Sequence, residues 1–163
     1  MTPPGVQPSL ADTICTQVLD KTGLDKNSSA AIHLCPNASG VLRQWGIYGE
    51  TFGACLMSRF HQRTSDGATF RDLDLVQSNA QWLHPWHLVY RGALHQELKR
   101  AATTEDRPGT PVILLLGRRV VQVDPQLGVV TLEDGSTLSA DVVLGADGIA
   151  VGLLSLSRPS LIC

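Results

Sequence analysis

The chain has 163 residues, of which 43% are hydrophobic and 17% charged, and its formal net charge is −2. This length and composition are those of one ordinary globular domain with enough apolar mass for a core, and they exclude disordered, collagen-like and coiled-coil chains. The 13 basic and 15 acidic residues form no run of one sign, and no apolar stretch is long enough to cross a bilayer. We therefore expect no nucleic acid, no anionic membrane surface and no membrane span.

The first third of the sequence predicts a strand followed by a short helix. Residues 14–19 alternate between apolar and polar side chains, which is typical of a strand, and Asp20 ends it. Further along, Asn37 or Ser39 is placed to be the N-cap of an amphipathic helix, and Gly46 is placed to close it.

The middle of the chain predicts a hairpin and a second helix. Residues 65–67 read Ser-Asp-Gly between two alternating stretches, which indicates a β-hairpin. Residues 88–102 have Leu94 and Leu98 four positions apart, so both leucines lie on one face of the predicted helix.

The last third predicts four strands. Residues 112–116 are a short continuous apolar run, as in a strand that is buried on both faces. Residues 119–123, 129–133 and 137–144 follow, separated by turn sequences, as in an antiparallel meander. The last of these becomes wholly apolar at residues 142–144, so we expect the chain to enter a buried sheet there.

Two aspartates stand where strands are predicted to end. Asp20 has the position at which a dinucleotide-binding fold places the carboxylate that binds ribose hydroxyls, although a solvated turn former is the commoner role of such a residue. Asp147 follows the last apolar strand, and α/β folds bind ligands at the carboxyl ends of buried strands. For Asp147 the alternative is a plain Asp-Gly turn.

Three basic residues are candidates for binding. Arg91 follows an aromatic and apolar run, where its guanidinium could bind a phosphate or a carboxylate, but a surface arginine is the commoner case. His84 and His87 have a helical spacing for a metal, yet Pro85 between them breaks such a helix. The sequence therefore predicts no metal site.

Three further segments form ordered motifs. Residues 29–46 follow the pattern GAxIxLxPNASRxLRxWG, residues 86–98 follow WxLxHRxDLHxxL, and residues 140–149 follow a strand reading ADLVIGADGI. In this order they resemble the FAD-dependent aromatic hydroxylases, flavoprotein monooxygenases of the salicylate hydroxylase type. The resemblance extends over about residues 17–149.

The resemblance implies a cofactor site made of four residues. Asp20 is similar in position to the acid that binds the adenosine ribose, and Ala31 to a backbone contact near the flavin. Arg91 is similar to the FAD-contacting arginine. Asp147 is similar to the aspartate of the DG motif, which the family associates with both FAD and NAD(P)H.

The sequence departs from the family pattern in three respects. Tyr90 and Ala93 stand where the second motif has His and Asp, and residues 150–163 resemble nothing in the family. No G-x-G-x-x-G occurs in the chain, and this is the turn that would hold the FAD pyrophosphate. The resemblance thus implies an α/β fold over residues 1–149: a partial FAD-binding, Rossmann-like domain of the glutathione-reductase type, with a β-meander crossover and without the first βα unit. Residues 150–163 would be an unrelated tail, so the family fold would be truncated at both ends.

The function that the resemblance implies is that of an FAD-dependent monooxygenase, which hydroxylates an aromatic or other small organic substrate with NAD(P)H and dioxygen. Because the sequence lacks the glycine motif, we expect the isolated chain to bind FAD weakly or not at all and to have little independent activity. Two alternatives stay open: a non-catalytic fragment that associates with a full-length homologue, and an NAD(P)-dependent dehydrogenase, which the missing nucleotide fingerprint disfavours.

The remaining expectations concern compartment and association. Cys15, Cys35, Cys55 and Cys163 are far apart with no CxxC and no His at ligand spacing, so the sequence predicts free thiols. Residues 1–9 have neither the basic nor the apolar part of a secretory leader, and we expect a cytoplasmic protein. We expect a small-molecule substrate as the partner, and association of the chain through exposed apolar surface.

Overall fold

The structure, a computed structural model, describes residues 14–22 and 30–146. They divide into two compact units: a terminal unit, from the chain before residue 27 and after residue 111, and a central unit between them. The elements in chain order are β1 Gln17–Asp20, β2 Ala31–Leu34, α1 Pro36–Gln44, a 3-10 helix Gly49–Phe52, β3 Cys55–Leu56, β4 Arg59–Arg63, β5 Thr69–Asp74, α2 Val76–Gln81, β6 His87–Tyr90, α3 Arg91–Thr103, β7 Ile113–Leu116, β8 Val120–Asp124, β9 Val129–Leu132 and β10 Thr137–Ser139.

The central unit is built on a three-stranded antiparallel sheet. β6 is its middle strand, with β2 on one side and β3 on the other. One face of this sheet packs against α1 and α3, and the buried residues of that core are Leu34, Leu42, Ile47, Val89 and Leu94. Burial of each such side chain stabilises the fold by about 1.5–3 kcal/mol.

The start of α1 differs from the prediction. Cys35 is the N-cap residue, Pro36 occupies the first turn, and no side chain caps the helix, so the prediction of Asn37 or Ser39 as the N-cap is wrong. Proline suits this position because it has no N–H to satisfy and its φ is already helical. Ser39 lies inside the helix, buried, and its hydroxyl donates to the Leu34 carbonyl at 3.4 Å.

The end of α1 confirms the prediction. Gly46 has a φ of +67°, and its N–H donates to the Arg43 carbonyl at 2.9 Å. The next N–H, of Ile47, donates to the Leu42 carbonyl at 2.8 Å. These two bonds form a Schellman motif, which requires a left-handed residue and therefore favours glycine.

The predicted hairpin is confirmed as β4 and β5. The two strands are antiparallel, and Gly67 takes a φ of +88° in the turn between them. The Arg59 guanidinium binds the Asp72 carboxylate through two hydrogen bonds of 2.9 and 2.8 Å, which hold the pKa of Asp72 below its ordinary value. β5 is exposed along its whole length.

The second helix begins later than predicted. Leu88 lies in β6, and α3 begins at Arg91. Val89 is 2% exposed in the middle strand of the sheet, and pairing with two neighbouring strands outweighs the helical pattern of this stretch. The predicted apolar face is confirmed, because Leu94 is buried in the core and Leu98 packs against it.

In the terminal unit, β1 and β7 form a parallel pair. Gln17 pairs with Ile113, and Asp20 with Leu116. The strand predicted over residues 14–19 and ended by Asp20 is thus confirmed, although it begins later, at Gln17. The prediction that residues 112–116 are buried on both faces is wrong, because Ile113 and Leu116 are exposed and β1 is the strand's one partner among the described residues.

The predicted meander is confirmed as the antiparallel sheet β8-β9-β10. Val130 and Leu132 in its middle strand are buried. The prediction that residues 142–144 enter a buried sheet is wrong: the chain forms no strand there, and Val142 and Leu144 are 71% and 85% exposed. An apolar stretch becomes a strand only where a neighbouring strand bonds to its backbone N–H and C=O groups, and apolar side chains do not provide that neighbour.

Candidate functional site

The first predicted site residue, Asp20, lies at the carboxyl end of the parallel pair in the terminal unit. It is half-buried, and its Oδ1 accepts hydrogen bonds from the Thr22 N–H and hydroxyl, both at 2.6 Å. Asp20 therefore shapes the turn after β1, which is the commoner role that the sequence left open. Its place at the carboxyl end of a parallel strand is also where α/β folds bind ligands.

The loop after β7 passes beside Asp20. Gly117 has a φ of +66°, and the next N–H, of Arg118, donates to the Asp20 carbonyl at 2.9 Å. The Arg118 guanidinium lies 2.6 Å from the Asp134 carboxylate. Hydrogen bonds from Ser136, and then this guanidinium, lower the pKa of Asp134. A cavity of about 210 Å³ is lined here by Gly117, Arg118, Arg119, Leu132, Glu133 and Asp134.

Two other predicted site residues, Ala31 and Arg91, lie together in the central unit. Ala31 is opposite Tyr90 in the register of β2 and β6, and the Arg91 N–H donates to the Ala30 carbonyl at 2.9 Å. Ala31 and Arg91 are both exposed. The antiparallel pairing thus places the two residues at one end of the same pair of strands.

The N-terminus of α3 makes this end of the sheet electropositive. Arg91 is the first residue of a 13-residue helix whose first turn has no acidic residue, and the N-cap, Tyr90, gives no side-chain cap. The positive end of the helix dipole and the guanidinium therefore have the same sign at the same place. Such an end favours an anionic group such as a phosphate.

The sheet face opposite the core is exposed in the central unit. Strand alternation directs one set of side chains into the core: Ile32, Leu34, His87 and Val89. The alternate set lies on the other face: Ala31, His33, Cys55, Leu88 and Tyr90. Four of these five are exposed and Leu88 is half-buried.

An aromatic cluster adjoins this exposed face, and the sequence reasoning missed it. The ring of Trp86 has its centroid 6.0 Å from that of His33, 6.1 Å from that of Phe60 and 6.3 Å from that of Trp82. Phe60 and Trp86 are stacked within 25° of parallel, and His33 meets both at 68°. The alternation in β2 could have indicated the cluster, because it puts His33 on the sheet face opposite to its apolar neighbours Ile32 and Leu34.

Asn79 of α2 holds the cluster in place. Its Oδ1 accepts from the Trp86 N–H at 2.7 Å, and its Nδ2 donates to the Met57 carbonyl at 2.5 Å. One side chain thereby fixes the backbone on both sides of the entry to β6.

The two histidines considered for a metal have separate surroundings. His87 lies on the core face, 4% exposed, with its Nε2 3.9 Å from Glu50 Oε1. The ring of His84 lies against Gly40 of α1. Over residues 14–22 and 30–146, no three His, Cys, Asp or Glu side chains are grouped so that they could hold a metal ion.

Some predicted features lie outside the described residues. Asp147, Cys163 and the tail of residues 150–163 are among them. Cys15 and Cys55 are exposed free thiols, and Cys35 is a half-buried one. Within the two described stretches, no helix has the length and apolar character that crossing a membrane requires.

Comparison with known proteins identifies relatives by sequence. The chain is 33% identical over 135 residues to FAD-dependent monooxygenase phomE' of Diaporthe leptostromiformis, covering 81% of the chain and 34% of the relative. It is 32% identical over 140 residues to FAD-dependent monooxygenase cfoG of Aspergillus candidus, covering 80% and 30%. It is 29% identical over 133 residues to hispidin-3-hydroxylase of Neonothopanus nambi, covering 82% and 32%. No family model matches the sequence.

Solved structures show the same fold. PqsL of Pseudomonas aeruginosa, in complex with 2-aminobenzoylacetate, has a TM-score of 0.65 and 25% identity, covering 88% of this chain and 41% of PqsL. The tetrameric form of 2-methyl-3-hydroxypyridine-5-carboxylic acid oxygenase has a TM-score of 0.63 and 23% identity, covering 84% and 34%. The fold is that of a mixed α/β portion of a flavoprotein. The chain belongs to the FAD-dependent monooxygenases, and it spans about a third of the length of the curated relatives it matches.

Proposed function

We propose that the chain contributes part of the FAD-binding site of a monooxygenase that hydroxylates an aromatic or other small organic substrate with NAD(P)H and dioxygen. The relatives named as FAD-dependent monooxygenases and as a hydroxylase support this proposal, since the similarity covers about four fifths of the chain. FAD, when bound, supplies the redox chemistry of oxygen transfer, and the protein supplies binding, orientation and shielding.

The observation that carries the proposal is the junction of β6 and α3. There Arg91 stands at a helix N-terminus that has no side-chain cap, and the same strand pairing puts Ala31 beside it. This arrangement fits an anionic group of FAD, because a guanidinium donates charge-assisted hydrogen bonds to phosphate and the helix dipole has the favourable sign. The exposed Ala31 would then lie next to the flavin end of the cofactor.

Asp20 and Asp147 are the other two residues that we propose to bind FAD. A carboxylate at the carboxyl end of a parallel strand fits ribose hydroxyls, and the place of Asp20 at the end of β1 supports that role. The role of Asp147 rests on the resemblance of its motif. We further propose that residues 1–149 are a partial Rossmann-like FAD-binding domain and that residues 150–163 lie outside it; the parallel pairing of β1 with β7 supports the first part.

FAD titration of the purified chain tests the proposal. We expect a Kd weaker than about 1 μM, because the glycine turn that would cradle the pyrophosphate is absent from the sequence. Arg91→Lys should weaken binding by about 5- to 150-fold, since lysine does not reproduce the two parallel hydrogen bonds of a guanidinium. Flavin fluorescence measures both values.

Arg71→Lys is the matched control, because Arg71 is an exposed arginine of the β5 strand. It should leave the FAD affinity unchanged. Equal affinities of the wild type and Arg91→Lys would contradict the role of Arg91. Stoichiometric FAD that stays with the wild-type chain through gel filtration would contradict the weak binding.

A further inference from the structure

We infer that Thr22 is a positioning residue, which aims the carboxylate of Asp20 at the adenosine ribose of a bound nucleotide. This inference rests on the proposed function, in which Asp20 binds the ribose hydroxyls, and deepens it by naming the side chain that orients the acid. Both residues belong to the terminal unit and lie at the carboxyl end of the parallel strand β1.

The backbone of Asp20 is held from the side of β7. Asp20 pairs with Leu116 in the parallel register, and its carbonyl accepts a hydrogen bond of 2.9 Å from the N–H of Arg118. Because the main chain is fixed at this point, the direction of the carboxylate depends on the side-chain torsions χ1 and χ2. A residue that restrains these two torsions therefore decides where the carboxylate points.

Thr22 restrains the torsions through one carboxylate oxygen. Its backbone N–H and its hydroxyl each donate a hydrogen bond to Oδ1 of Asp20, and both distances are 2.6 Å. Since Cα and Oδ1 are then both held, few positions remain for Oδ2. Asp20 and Thr22 are half-buried, so these bonds are partly shielded from water, and bonds to an ionised acceptor are about twice as strong as neutral ones.

An oriented carboxylate matters to a ligand that has hydroxyl groups. A ribose presents two adjacent hydroxyl donors, and a carboxylate accepts well only those that its oxygens face. A side chain that must be ordered during binding lowers the affinity by a factor of about 2 to 12, and a side chain that is already ordered avoids this loss. If Thr22 served the turn alone, its removal would act equally on nucleotides with and without the hydroxyls.

Binding of ADP and of its dideoxy analogue, which lacks both ribose hydroxyls, tests the inference without any measurement of activity. The wild-type chain should prefer ADP by about tenfold or more, as expected for a hydrogen bond to a charged group. Thr22→Val removes the hydroxyl and keeps the shape of the side chain. It should weaken ADP binding by about fivefold and leave the affinity for the dideoxy analogue unchanged. Ligand-observed NMR titrations measure all four affinities.

Two further variants are the controls. Thr22→Ser keeps the hydroxyl and should restore the ADP affinity to within about twofold of the wild type. Thr16→Val changes an exposed threonine of the same unit, whose backbone carbonyl keeps its 3.0 Å hydrogen bond from Ile113, and should bind both nucleotides as the wild type does. If circular dichroism shows that Thr22→Val does not fold, Thr22→Ala makes the same comparison with a smaller side chain.

Equal weakening of both nucleotides in Thr22→Val would assign Thr22 a merely structural role and overturn the inference, and so would an unchanged preference for ADP. A wild type without any preference would overturn it too, because Asp20 would then not bind ribose hydroxyls. The proposed function fails separately, if Arg91→Lys leaves FAD affinity unchanged. Weakened FAD binding in Arg91→Lys, together with a full ADP preference in Thr22→Val, would leave the proposed function intact and refute only the role of Thr22.

Discussion

The contact between α1 and His84 predicts that Gly40→Ala changes the free energy of unfolding in opposite directions with and without the His84 ring. Gly40 is a buried residue inside α1, where alanine would ordinarily stabilise a helix by about 1 kcal/mol. A Cβ at Gly40 would, however, lie 2.6 Å from His84 Cδ2 and 3.0 Å from its Nε2. Ordinary contact between carbon atoms needs about 3.5–4.0 Å, so the imidazole must move by about 1 Å to admit one methyl group.

The magnitude follows from the opposing contributions. Overpacking of this kind costs about 1–3 kcal/mol, and the helical preference of alanine offsets about 1 kcal/mol of that. The imidazole is not the loose end of a flexible chain, and its Nδ1 is buried. We therefore expect Gly40→Ala to lower the free energy of unfolding by about 1 kcal/mol. In a His84→Ala background, the same change should raise it by about 1 kcal/mol.

Urea unfolding followed by circular dichroism measures all four proteins of this double-mutant cycle. The control is Gly53→Ala, where nothing lies within 4 Å of the added Cβ but the φ of +81° is unfavourable for alanine. Its effect should be the same with and without His84. If Gly40→Ala stabilises the chain in both backgrounds, the imidazole does not lie against α1 and the reasoning is refuted.

Two further predictions concern polar contacts of the central unit. Asn79→Ala removes the acceptor of the Trp86 backbone N–H and should lower the free energy of unfolding by about 1–3 kcal/mol. Gln81→Ala, at the exposed end of the same helix, should have little effect. Equal losses in the two variants would contradict the role of Asn79. Arg59 lowers the pKa of Asp72 below its ordinary 3.8, so the pair stabilises the fold above that pH and the contribution is lost as pH falls through the lowered value. Urea midpoints at pH 7, 5 and 3 should therefore fall more steeply for the wild type than for Asp72→Asn, and parallel curves would show that the ion pair adds nothing.

The sequence predicts best those features that depend on a few adjacent residues. The hairpin turn at Gly67 and the helix end at Gly46 both use a left-handed φ, which glycine adopts without strain. The meander follows for the same reason, since its turns contain Gly128 and Gly135 with positive φ. In each case the local backbone requirement is visible in the residue type.

The features that the sequence misses depend on distant partners. Leu88 has a helical pattern with the residues after it, but it lies in β6 because β2 and β3 pair with that strand from either side. Residues 112–116 and 142–144 have the apolar character of buried strands, but burial needs strands on both sides, which a local pattern does not provide.

In the candidate site, too, local features were predicted and features that depend on distant partners were missed. Asp20 at a strand end and Arg91 near a helix start are local features: β1 ends at Asp20, as predicted, and Arg91 is the first residue of α3, which begins later than predicted. That Ala31 and Arg91 lie close together depends on the register between β2 and β6, which cannot be predicted from adjacent residues. The aromatic cluster around Trp86 escaped prediction for this reason too, because Phe60 and Trp86 meet only once the chain has folded back.

The parallel pairing of β1 with β7 has a consequence for the order of folding. Gln17 and Ile113 are partners although 96 positions separate them along the chain, and the whole central unit lies between them. Contacts at such a separation form late, because a long loop must be closed before they stabilise anything. The central unit, whose hairpin and helix contacts are more local, can collapse first and shorten that loop. Substitutions in β1 or β7 are then expected to speed unfolding far more than they slow folding.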